Sequence, residues 1–399
     1  MLRSYLMDGM FITVFIQKIS KETTMRYTQF GNTGKMVSAL GFGAMRLPSR
    51  QDGDKKVVDE DLAIPLMRHA FDMGVNYIDT APGYIGRTSE AAVGKAIKGY
   101  RDKVYISTKN GIRNTCPDDF MVRLESSLTE LDVDYIDFYH LWGIKQEPFK
   151  MWQGLDDGPV HAIVRAKEQG LIKHISFSYH DKPENFKYIV DSGIFESVLI
   201  QYNMIDRSNE DNLAYAKEKG LGVVVMGPVG GGRLGAPSDF IKGMLSQKPA
   251  SSAEMALRFV LANPHVDVAL SGMSEVAHIS ENAKIADTTG NLTPAEIAHV
   301  KAMMDENAKL AQLYCTACDY CKPCPLNIDI PYIFELMNNH RVFGLTEHSK
   351  FAYKQIIDRF WPNMGPDASH CTACGECEKK CPQNIPIIEQ LKETHATLV

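Results

Sequence analysis

Several features are scarce in this sequence of 399 residues, and each absence narrows what the protein does. No apolar run approaches the roughly eighteen residues that a membrane-spanning helix needs, so we expect no membrane span. No basic cluster occurs, and the 43 basic residues are outnumbered by 49 acidic ones, which argues against nucleic acid as a partner. Before residue 315 the chain contains one cysteine, Cys116.

The amino terminus also lacks a convincing secretion signal. The apolar run at residues 10–16 is short, and no small-x-small cleavage site accompanies it. We therefore interpret residues 1–24 as an extension without a function of its own, and we expect a cytoplasmic protein.

Cysteine is concentrated at the other end, where eight of the nine cysteines lie between residues 315 and 381. A compositional step of this size predicts a second domain, and the chain is long enough for one large and one small domain. We expect the large domain over residues 25–310 and the cysteine-rich domain over residues 311–399.

Within the large domain, short apolar segments alternate with segments of helical periodicity, eight of each. This alternation predicts an α/β fold and favours a closed barrel of parallel strands over an open sheet. The predicted strands lie near residues 38–43, 76–79, 104–108, 135–139, 172–177, 197–201, 222–226 and 267–271. The predicted helices lie near residues 61–73, 89–98, 117–131, 159–169, 183–191, 211–219, 252–262 and 275–285.

Three successive strands end on reactive side chains. Asp79 ends one strand and Tyr84 follows in a Pro/Gly turn, Lys109 ends the next, and His140 ends the third. Because the carboxyl ends of parallel barrel strands meet at one mouth, we expect these side chains to converge. An ammonium stabilises a phenolate, a carboxylate holds the ammonium, and a neutral imidazole orients a carbonyl. Taken one at a time, the four residues also fit structural roles: a helix cap for Asp79, a turn aromatic for Tyr84, a surface lysine for Lys109 and a core histidine for His140. Taken together, they describe a general acid next to a carbonyl that receives a hydride.

With their surroundings, Asp-Thr-Ala-Pro-Gly-Tyr, Ile-Ser-Thr-Lys and Tyr-His-Leu-Trp, these four residues resemble the catalytic tetrad of the aldo-keto reductases. The resemblance covers roughly residues 25–310 and implies a (β/α)8 TIM barrel that binds NADPH or NADH. It implies a small-molecule carbonyl substrate, with Tyr84 as the general acid. Loops near Trp142, Phe149 and Trp152 indicate aromatic walls for that substrate.

The ends of the later strands carry groups suited to the nucleotide. Hydroxyl and amide groups at Ser178 and Gln201 suit a carboxamide, and the resemblance implies that they hold the nicotinamide. Met226 stands where many family members place an aromatic ring against the nicotinamide. A thioether packs on such a ring with less specificity.

The phosphates and the adenine should lie farther along the same mouth. Gly230, Gly231 and Arg233 follow the seventh strand and predict a pyrophosphate cradle. By resemblance, Glu281 and Asn282 match residues that contact the adenine. Where NADPH-specific members carry basic residues for the ribose phosphate, this chain has a glycine and a histidine. The replaced positions are Gly272 and His278, so that phosphate would have to be met by the hydroxyl groups of Ser271 and Ser274 or by backbone amides. We expect NADPH, and because the basic residues are missing, NADH is the alternative.

The eight carboxyl-terminal cysteines form two similar runs. The second run has the bacterial ferredoxin spacing C-x2-C-x2-C-x3-C-P, and the first is one residue shorter before its last cysteine. In two-cluster ferredoxins the fourth cysteine of a run binds the other cluster. We therefore expect two [4Fe–4S] clusters, one bound by Cys315, Cys318, Cys321 and Cys381 and the other by Cys371, Cys374, Cys377 and Cys324.

Zinc is the competing interpretation of these cysteines, since paired C-x2-C motifs also suit zinc ribbons. Disulfides would need an oxidising compartment. The segments that begin at Asp329 and Ser349, between the two runs, have helical patterns. The tail therefore resembles the helical ferredoxin-like domains of respiratory reductase subunits.

Barrel and tail perform different kinds of chemistry. Hydride transfer moves two electrons together, whereas iron–sulfur clusters pass one at a time, and no flavin signature is visible. The first hypothesis is an NAD(P)H-dependent carbonyl reductase whose clusters have an electron-transfer or accessory role. The alternative is an electron-transfer or docking subunit whose barrel binds nucleotide and whose clusters exchange electrons with a partner flavoprotein. A purely structural barrel is disfavoured because the tetrad is complete.

Overall fold

A computed structural model describes most of the chain. The described residues are 6–7, 10–11, 25–53, 55–112, 116–235, 237–245, 249–287, 292–312, 315, 320–360, 364–381 and 385–399. Among these residues, no helix is both long enough and apolar enough to cross a membrane.

Eight parallel strands close into a barrel in which each strand pairs with the next along the chain and the last pairs with the first. The strands are Leu40–Gly43, Tyr77–Asp79, Tyr105–Asn110, Ile136–Ile144, Ile172–Tyr179, Ser197–Gln201, Gly222–Met226 and Val268–Ser271. Their β-branched and aromatic side chains favour extended backbone, and their apolar runs suit strands that are covered on both faces. The predicted barrel is confirmed.

Helices surround the barrel and pack their apolar faces onto the strands, which forms the main hydrophobic core. They are Glu60–Asp72, Ser89–Ile97, Pro117–Leu131, Gln146–Gln153, Pro159–Glu168, Phe186–Val190, Glu210–Glu218, Asp239–Lys242, Ser252–Leu261 and Val276–Ala286. All eight predicted helices occur within a few residues of their expected positions. The short helices Gln146–Gln153 and Asp239–Lys242 and a hairpin of Ser49–Asp52 with Lys55–Val58 were not predicted.

A hairpin of Tyr27–Gln29 and Met36–Ser38 lies at the floor of the barrel. Phe30 leaves this hairpin and packs edge-on against Phe138 at 4.9 Å between ring centres. Position 222 requires glycine, because a Cβ there would lie 2.5 Å from the Phe30 ring. Burial of such an aromatic side chain contributes about 2–3 kcal/mol. Aromatic packing therefore fills the floor, and the opposite mouth is left for a ligand.

The cysteine-rich tail is helical, as its sequence pattern predicts. The first helix is Pro294–Gln312, which leaves the barrel domain, and the helices of the tail are Ile330–Phe343, Thr346–Ile357, Glu376–Lys380 and Ile387–Leu398. The first begins with a capping box, in which the Thr293 N–H donates to Glu296 Oε2 at 2.8 Å and the Glu296 N–H donates to Thr293 Oγ1 at 3.3 Å. The later helices enclose a second apolar core.

The tail and the barrel meet at the end of the helix Ile330–Phe343. Phe343 and Leu345 are buried and belong to the hydrophobic core of the barrel. Ser238, which caps the helix Asp239–Lys242, donates its hydroxyl to the Phe343 carbonyl at 2.8 Å. The joint therefore forms next to the segment that follows the seventh barrel strand.

Candidate active site

Asp79, Lys109 and Tyr84 form the centre of the candidate site at the open mouth of the barrel. Lys109 Nζ donates to Asp79 Oδ2 at 2.5 Å and to the Thr80 carbonyl at 2.7 Å. The side chains of Lys109 and Asp79 are only 2% and 3% exposed. Lys109 Nζ also lies 4.9 Å from the centre of the Tyr84 ring. The structure brings these residues together, and their catalytic roles stay predictions.

Burial and charge act in opposite directions on this centre. Burial raises the pKa of the Tyr84 phenol, and the nearby Lys109 ammonium partly offsets that effect. Burial alone would lower the pKa of Lys109, but Asp79 and Tyr84 outweigh it, so the pKa of Lys109 is raised. Near neutral pH, Lys109 is therefore an ammonium and Tyr84 a neutral phenol with a proton to donate.

His140 lies beside this pair and is linked to it by Ser107, a residue that the sequence pattern did not single out. Ser107 Oγ donates to Asp79 Oδ1 at 2.7 Å and lies 2.8 Å from His140 Nε2. Because the serine proton goes to the carboxylate, the serine oxygen accepts, and we infer that Nε2 carries the ring proton. Burial lowers the pKa of His140 to about 4, so the imidazole is neutral at neutral pH. Ser107 lies two residues before Lys109, and the period of two in a strand was a usable signal for it.

Trp142 forms a wall next to the tetrad. Its ring packs edge-on against Tyr84 at 6.0 Å between ring centres. A Cβ at Gly83 or Gly111 would approach the indole to 3.3 or 3.4 Å, so the ring lies against both turns. Phe149 and Trp152 are instead buried in the hydrophobic core, and their interpretation as pocket walls is wrong. The amphipathic helix Gln146–Gln153 buries them, and a helix of only eight residues has a short apolar pattern.

The predicted nicotinamide residues lie at the ends of the fifth, sixth and seventh strands. Ser178 is buried, and its Oγ accepts a hydrogen bond from the Gly143 N–H at 2.8 Å. Gln201 and Met226 are half-buried partners in neighbouring strands. All three positions are therefore at the mouth that carries the tetrad, and their contacts with a nicotinamide stay predictions.

Arg46 is a cation at this mouth that the sequence pattern did not reveal. It ends a short turn after the first strand, and its Nη2 donates to the Gly231 carbonyl at 2.7 Å. Its aliphatic part lies against Gly272, where a Cβ would come within 3.4 Å of the Arg46 Cβ. Arg46 therefore extends from the first strand across the end of the eighth to the glycine loop after the seventh.

The glycine loop has fewer amides available for an anion than its sequence implied. The Gly230 N–H donates to the Gly227 carbonyl at 2.8 Å, and the Gly232 N–H donates to the Val229 carbonyl at 3.0 Å. The side chain of Arg233 lies outside the described part of the structure. Within that part, Arg46 is the cation in contact with the loop.

The predicted adenine residues surround the end of the eighth strand. Asn282 Nδ2 donates to Ser271 Oγ at 3.1 Å, which joins the strand to the helix Val276–Ala286. Asn282 is buried, whereas Glu281 on the same helix is exposed. The structure thus brings Asn282 into contact with Ser271, which was predicted to meet the ribose phosphate, and leaves Glu281 accessible at the surface.

Four thiols of the tail line one small cavity. They are Cys324 of the first run and Cys371, Cys374 and Cys377 of the second, with Ile328, Ile330 and Leu391 among the apolar side chains around them. These are the four cysteines that the crossed arrangement assigns to one cluster. Their thiolates fit an iron–sulfur cluster, for which cysteine sulfur is the usual ligand.

The other cluster has an incomplete set of described ligands. Cys315, Cys321 and Cys381 are half-buried and pack against the apolar core of the tail, whereas Cys318 lies outside the described residues. Across the described ranges, no group of three histidine, cysteine or acidic side chains is close enough to hold one metal ion. A cubane distributes four thiolates over four irons, whereas a single zinc ion needs all of its sulfurs within about 2.3 Å.

Comparison with known proteins agrees with both parts of the chain. Residues 39–305 match the model of the Aldo/keto reductase family, and residues 314–385 match that of a 4Fe-4S dicluster domain. The chain is 31% identical to L-galactose dehydrogenase of Arabidopsis thaliana over 288 residues, which cover 65% of this chain and 88% of that protein. It is 28% identical to the uncharacterized oxidoreductase YqkF of Bacillus subtilis, with 68% and 94% covered.

Solved structures give the same fold. Aldo-keto reductase AKR11C1 from Bacillus halodurans, in its holo form, has a TM-score of 0.59 and 28% identity, with 70% of this chain and 96% of that chain covered. An aldo-keto reductase from Klebsiella pneumoniae in complex with NADPH also has a TM-score of 0.59, at 23% identity, with 70% and 95% covered. At the latter identity the likeness concerns the fold alone.

Proposed function

Because this chain belongs to the aldo-keto reductase family, a family of oxidoreductases, we propose that it reduces aldehydes or ketones to alcohols with NADPH, NADH being the alternative. The observation that carries this proposal is the buried Asp79–Lys109 ion pair next to Tyr84. Withdrawing two charges from water is unfavourable, and perturbed groups of this kind are concentrated at functional sites.

The chain's own residues account for the proton. Bound reduced nicotinamide supplies the hydride to the carbonyl carbon. Tyr84 donates its phenolic proton to the carbonyl oxygen, which becomes the alcohol. Lys109 stabilises the phenolate that remains, and Asp79 holds the ammonium in position. His140 donates its Nε2–H to Ser107 in this structure, so orienting the carbonyl oxygen would require that this proton turn from Ser107 to the substrate.

The same proposal assigns the two parts of the chain. Residues 25–310 form the reductase domain, in which the strand ends from Ser178 to Met226 hold the nicotinamide. Residues 311–399 form a domain with two [4Fe–4S] clusters and crossed ligation. The cavity lined by Cys324 and the three cysteines Cys371, Cys374 and Cys377 supports that ligation.

A second candidate is an electron-transfer subunit that serves a partner flavoprotein. One observation favours it: Cys374 is exposed while Cys377, in the same cavity, is buried. A cluster held there would lie near the surface, where an external protein could exchange single electrons with it.

The experiment is anaerobic and uses the full chain with its clusters loaded. Protein is mixed with NADPH and then NADH, with and without a panel of aldehydes and quinones, while nicotinamide absorbance and cluster bleaching are followed together. Nicotinamide oxidation that requires a carbonyl, with unbleached clusters, supports the reductase. Bleaching without a carbonyl, or binding without turnover, supports the electron-transfer subunit.

Tyr84→Phe separates the two functions at one atom. We expect near-complete loss of carbonyl reduction with nucleotide binding and clusters retained, because only the phenolic hydroxyl that donates the proton is removed. Tyr188→Phe, at a tyrosine that is 41% exposed, is the matched control and should retain activity. Full activity in Tyr84→Phe would show that Tyr84 is not the acid.

A further inference from the structure

A cavity of about 110 Å3 lies beside the tetrad and has an unusual charge balance. Among the described residues its lining includes the basic residues Arg87, Lys109 and Arg123 and no acidic residue. Lys109 is a member of the tetrad, and Trp142, which packs on Tyr84, forms the apolar wall. The cavity therefore adjoins the proposed reacting centre and is electropositive.

Arg87 is the basic residue of this cavity whose charge is not already matched. Lys109 is paired with Asp79, and Arg123 makes two hydrogen bonds to Asp119 at 2.8 and 3.1 Å. The Arg87 guanidinium is exposed and makes no hydrogen bond or ion pair with any residue in the described ranges. A free guanidinium at a cavity presents a planar fork of donors that matches a carboxylate.

The turn that carries Arg87 is held in a strained conformation. Ile85, Gly86 and Arg87 have φ values of 43°, 60° and 70°, and a branched residue such as isoleucine strongly disfavours this region. Position 86 requires glycine, because a Cβ there would lie 2.1 Å from the Lys56 carbonyl oxygen. Strain of this kind persists where the surroundings enforce it, and it recurs at ligand clamps.

The turn is also fixed from its far side. Thr88 Oγ1 donates to the Ile85 carbonyl at 2.7 Å and accepts from the Val58 N–H at 2.8 Å. The hairpin Ser49–Asp52 with Lys55–Val58 therefore supports the turn and holds the backbone of Arg87 beside the cavity. The backbone position of Arg87 is therefore fixed by the fold.

Asn110 provides an independent sign of a ligand. It lines the cavity and is 1% exposed. Its Nδ2 donates to the Phe120 carbonyl at 3.0 Å and to Tyr139 Oη at 3.1 Å, whereas its Oδ1 is buried without a hydrogen-bond partner in the described part of the chain. A buried acceptor left without a donor is unfavourable, so a ligand hydroxyl at this point would relieve it.

We propose that this cavity selects carbonyl substrates that carry a carboxylate. The carboxylate pairs with Arg87, the carbon chain lies along Trp142, and Asn110 Oδ1 accepts from a hydroxyl of the substrate. The proposal rests on the proposed carbonyl reduction, since it names the substrate class of that site. The small volume and the one unmatched cation among the described lining residues favour a carboxylate over a phosphate dianion.

Two aldehydes of similar length and different charge test the proposal: 4-oxobutanoate and pentanal. In the cluster-loaded protein with NADPH, Arg87→Gln should lower kcat/KM for 4-oxobutanoate by about ten- to a hundredfold, the usual effect of losing a charge-assisted hydrogen bond, and leave pentanal nearly unchanged. The matched control is Arg50→Gln, at an exposed arginine of the supporting hairpin, which should alter neither. Equal losses for both aldehydes would overturn the proposal.

A binding measurement separates this proposal from the reductase itself. Butanoate, which has no carbonyl to reduce, is titrated calorimetrically into the NADP⁺-loaded protein with and without Arg87→Gln. Butanoate binding that requires Arg87 supports the carboxylate site even if no aldehyde is turned over, an outcome that would reject only the reductase. Butanoate binding that is absent or unaffected by Arg87→Gln overturns the site, as does a preference for glyceraldehyde 3-phosphate over 4-oxobutanoate.

Discussion

Removing one member of the Asp79–Lys109 pair should destabilise the protein more than removing both. The two side chains are 3% and 2% exposed, and their charged atoms are 2.5 Å apart. Asp79→Asn leaves the Lys109 ammonium buried without its carboxylate. Lys109→Met leaves the Asp79 carboxylate buried with one of its two hydrogen-bond donors, Ser107. Breaking a buried pair in this way costs about 3–5 kcal/mol, whereas replacing both members with neutral groups is often nearly neutral.

The measurement is a double-mutant cycle on the free energy of unfolding. Urea unfolding of the cluster-loaded protein is followed anaerobically by tryptophan fluorescence for the two single variants and for Asp79→Asn/Lys109→Met. We expect a coupling free energy of about 3 kcal/mol or more, because each single variant leaves one buried charge unpaired whereas the double variant leaves none. All three variants should lose carbonyl reduction, because Lys109 is either absent or no longer held in position by Asp79 to stabilise the Tyr84 phenolate.

The control cycle uses Lys95 and Glu60, an ion pair of similar length at 2.7 Å with side chains 53% and 40% exposed. Solvent screens that pair, so its coupling should be about 0–1 kcal/mol. If the coupling of Asp79 and Lys109 is no larger than that of the exposed pair, the reasoning from burial is refuted.

Three further results should follow from the site. Burial lowers the pKa of His140 to about 4, so between about pH 6.5 and pH 4 this histidine is protonated in the unfolded chain and neutral in the folded one. Stability should therefore fall as the pH drops from about 6.5 towards 4, by up to about 3 kcal/mol, and His140→Gln should flatten that slope in urea titrations; an unchanged slope would exclude His140 as its source. Arg46 contacts the glycine loop that we predict to hold the pyrophosphate, so Arg46→Gln should weaken NADP⁺ binding about tenfold or more by calorimetry, whereas Arg50→Gln should not. Equal affinities would show that Arg46 does not contact the phosphates. Cys324→Ala should give the paramagnetic resonance spectrum of Cys371→Ala, and a spectrum like that of Cys315→Ala would show that the ligation is not crossed.

The barrel could be predicted because its determinants are local. Each strand is a short apolar run and each helix an apolar stripe, and both periods can be read along the chain. Asp79 and Lys109 could be predicted for the same reason: each is the polar residue at the end of an apolar strand, and parallel closure brings strand ends together. The cysteine runs could be recognised as cluster ligands from their spacing alone.

The residues that the sequence patterns did not predict depend on contacts between segments that are distant along the chain. Arg46 reaches Gly231 only because the first strand neighbours the eighth, which neighbours the seventh. Arg87 acquires its place from a turn supported by a hairpin some thirty residues earlier, through the bond between Val58 and Thr88. Neither contact has a periodic or spacing signature, so neither could be recovered without the three-dimensional arrangement.

The physical link between the tail and the barrel bears on whether the clusters join the reaction. In the described part of the chain, Phe343 and Leu345 pack into the core of the barrel, and one hydrogen bond joins Ser238 to the Phe343 carbonyl. This contact holds the tail against the barrel, and it contains no group that accepts an electron. A nicotinamide releases two electrons as one hydride, whereas a cluster accepts one, so transfer between them needs an intermediate such as a flavin that takes both and passes them on singly. If the clusters bleach with NADPH only after a flavoprotein is added, the electrons pass through that partner, and the hydride site and the clusters work as separate centres in one chain.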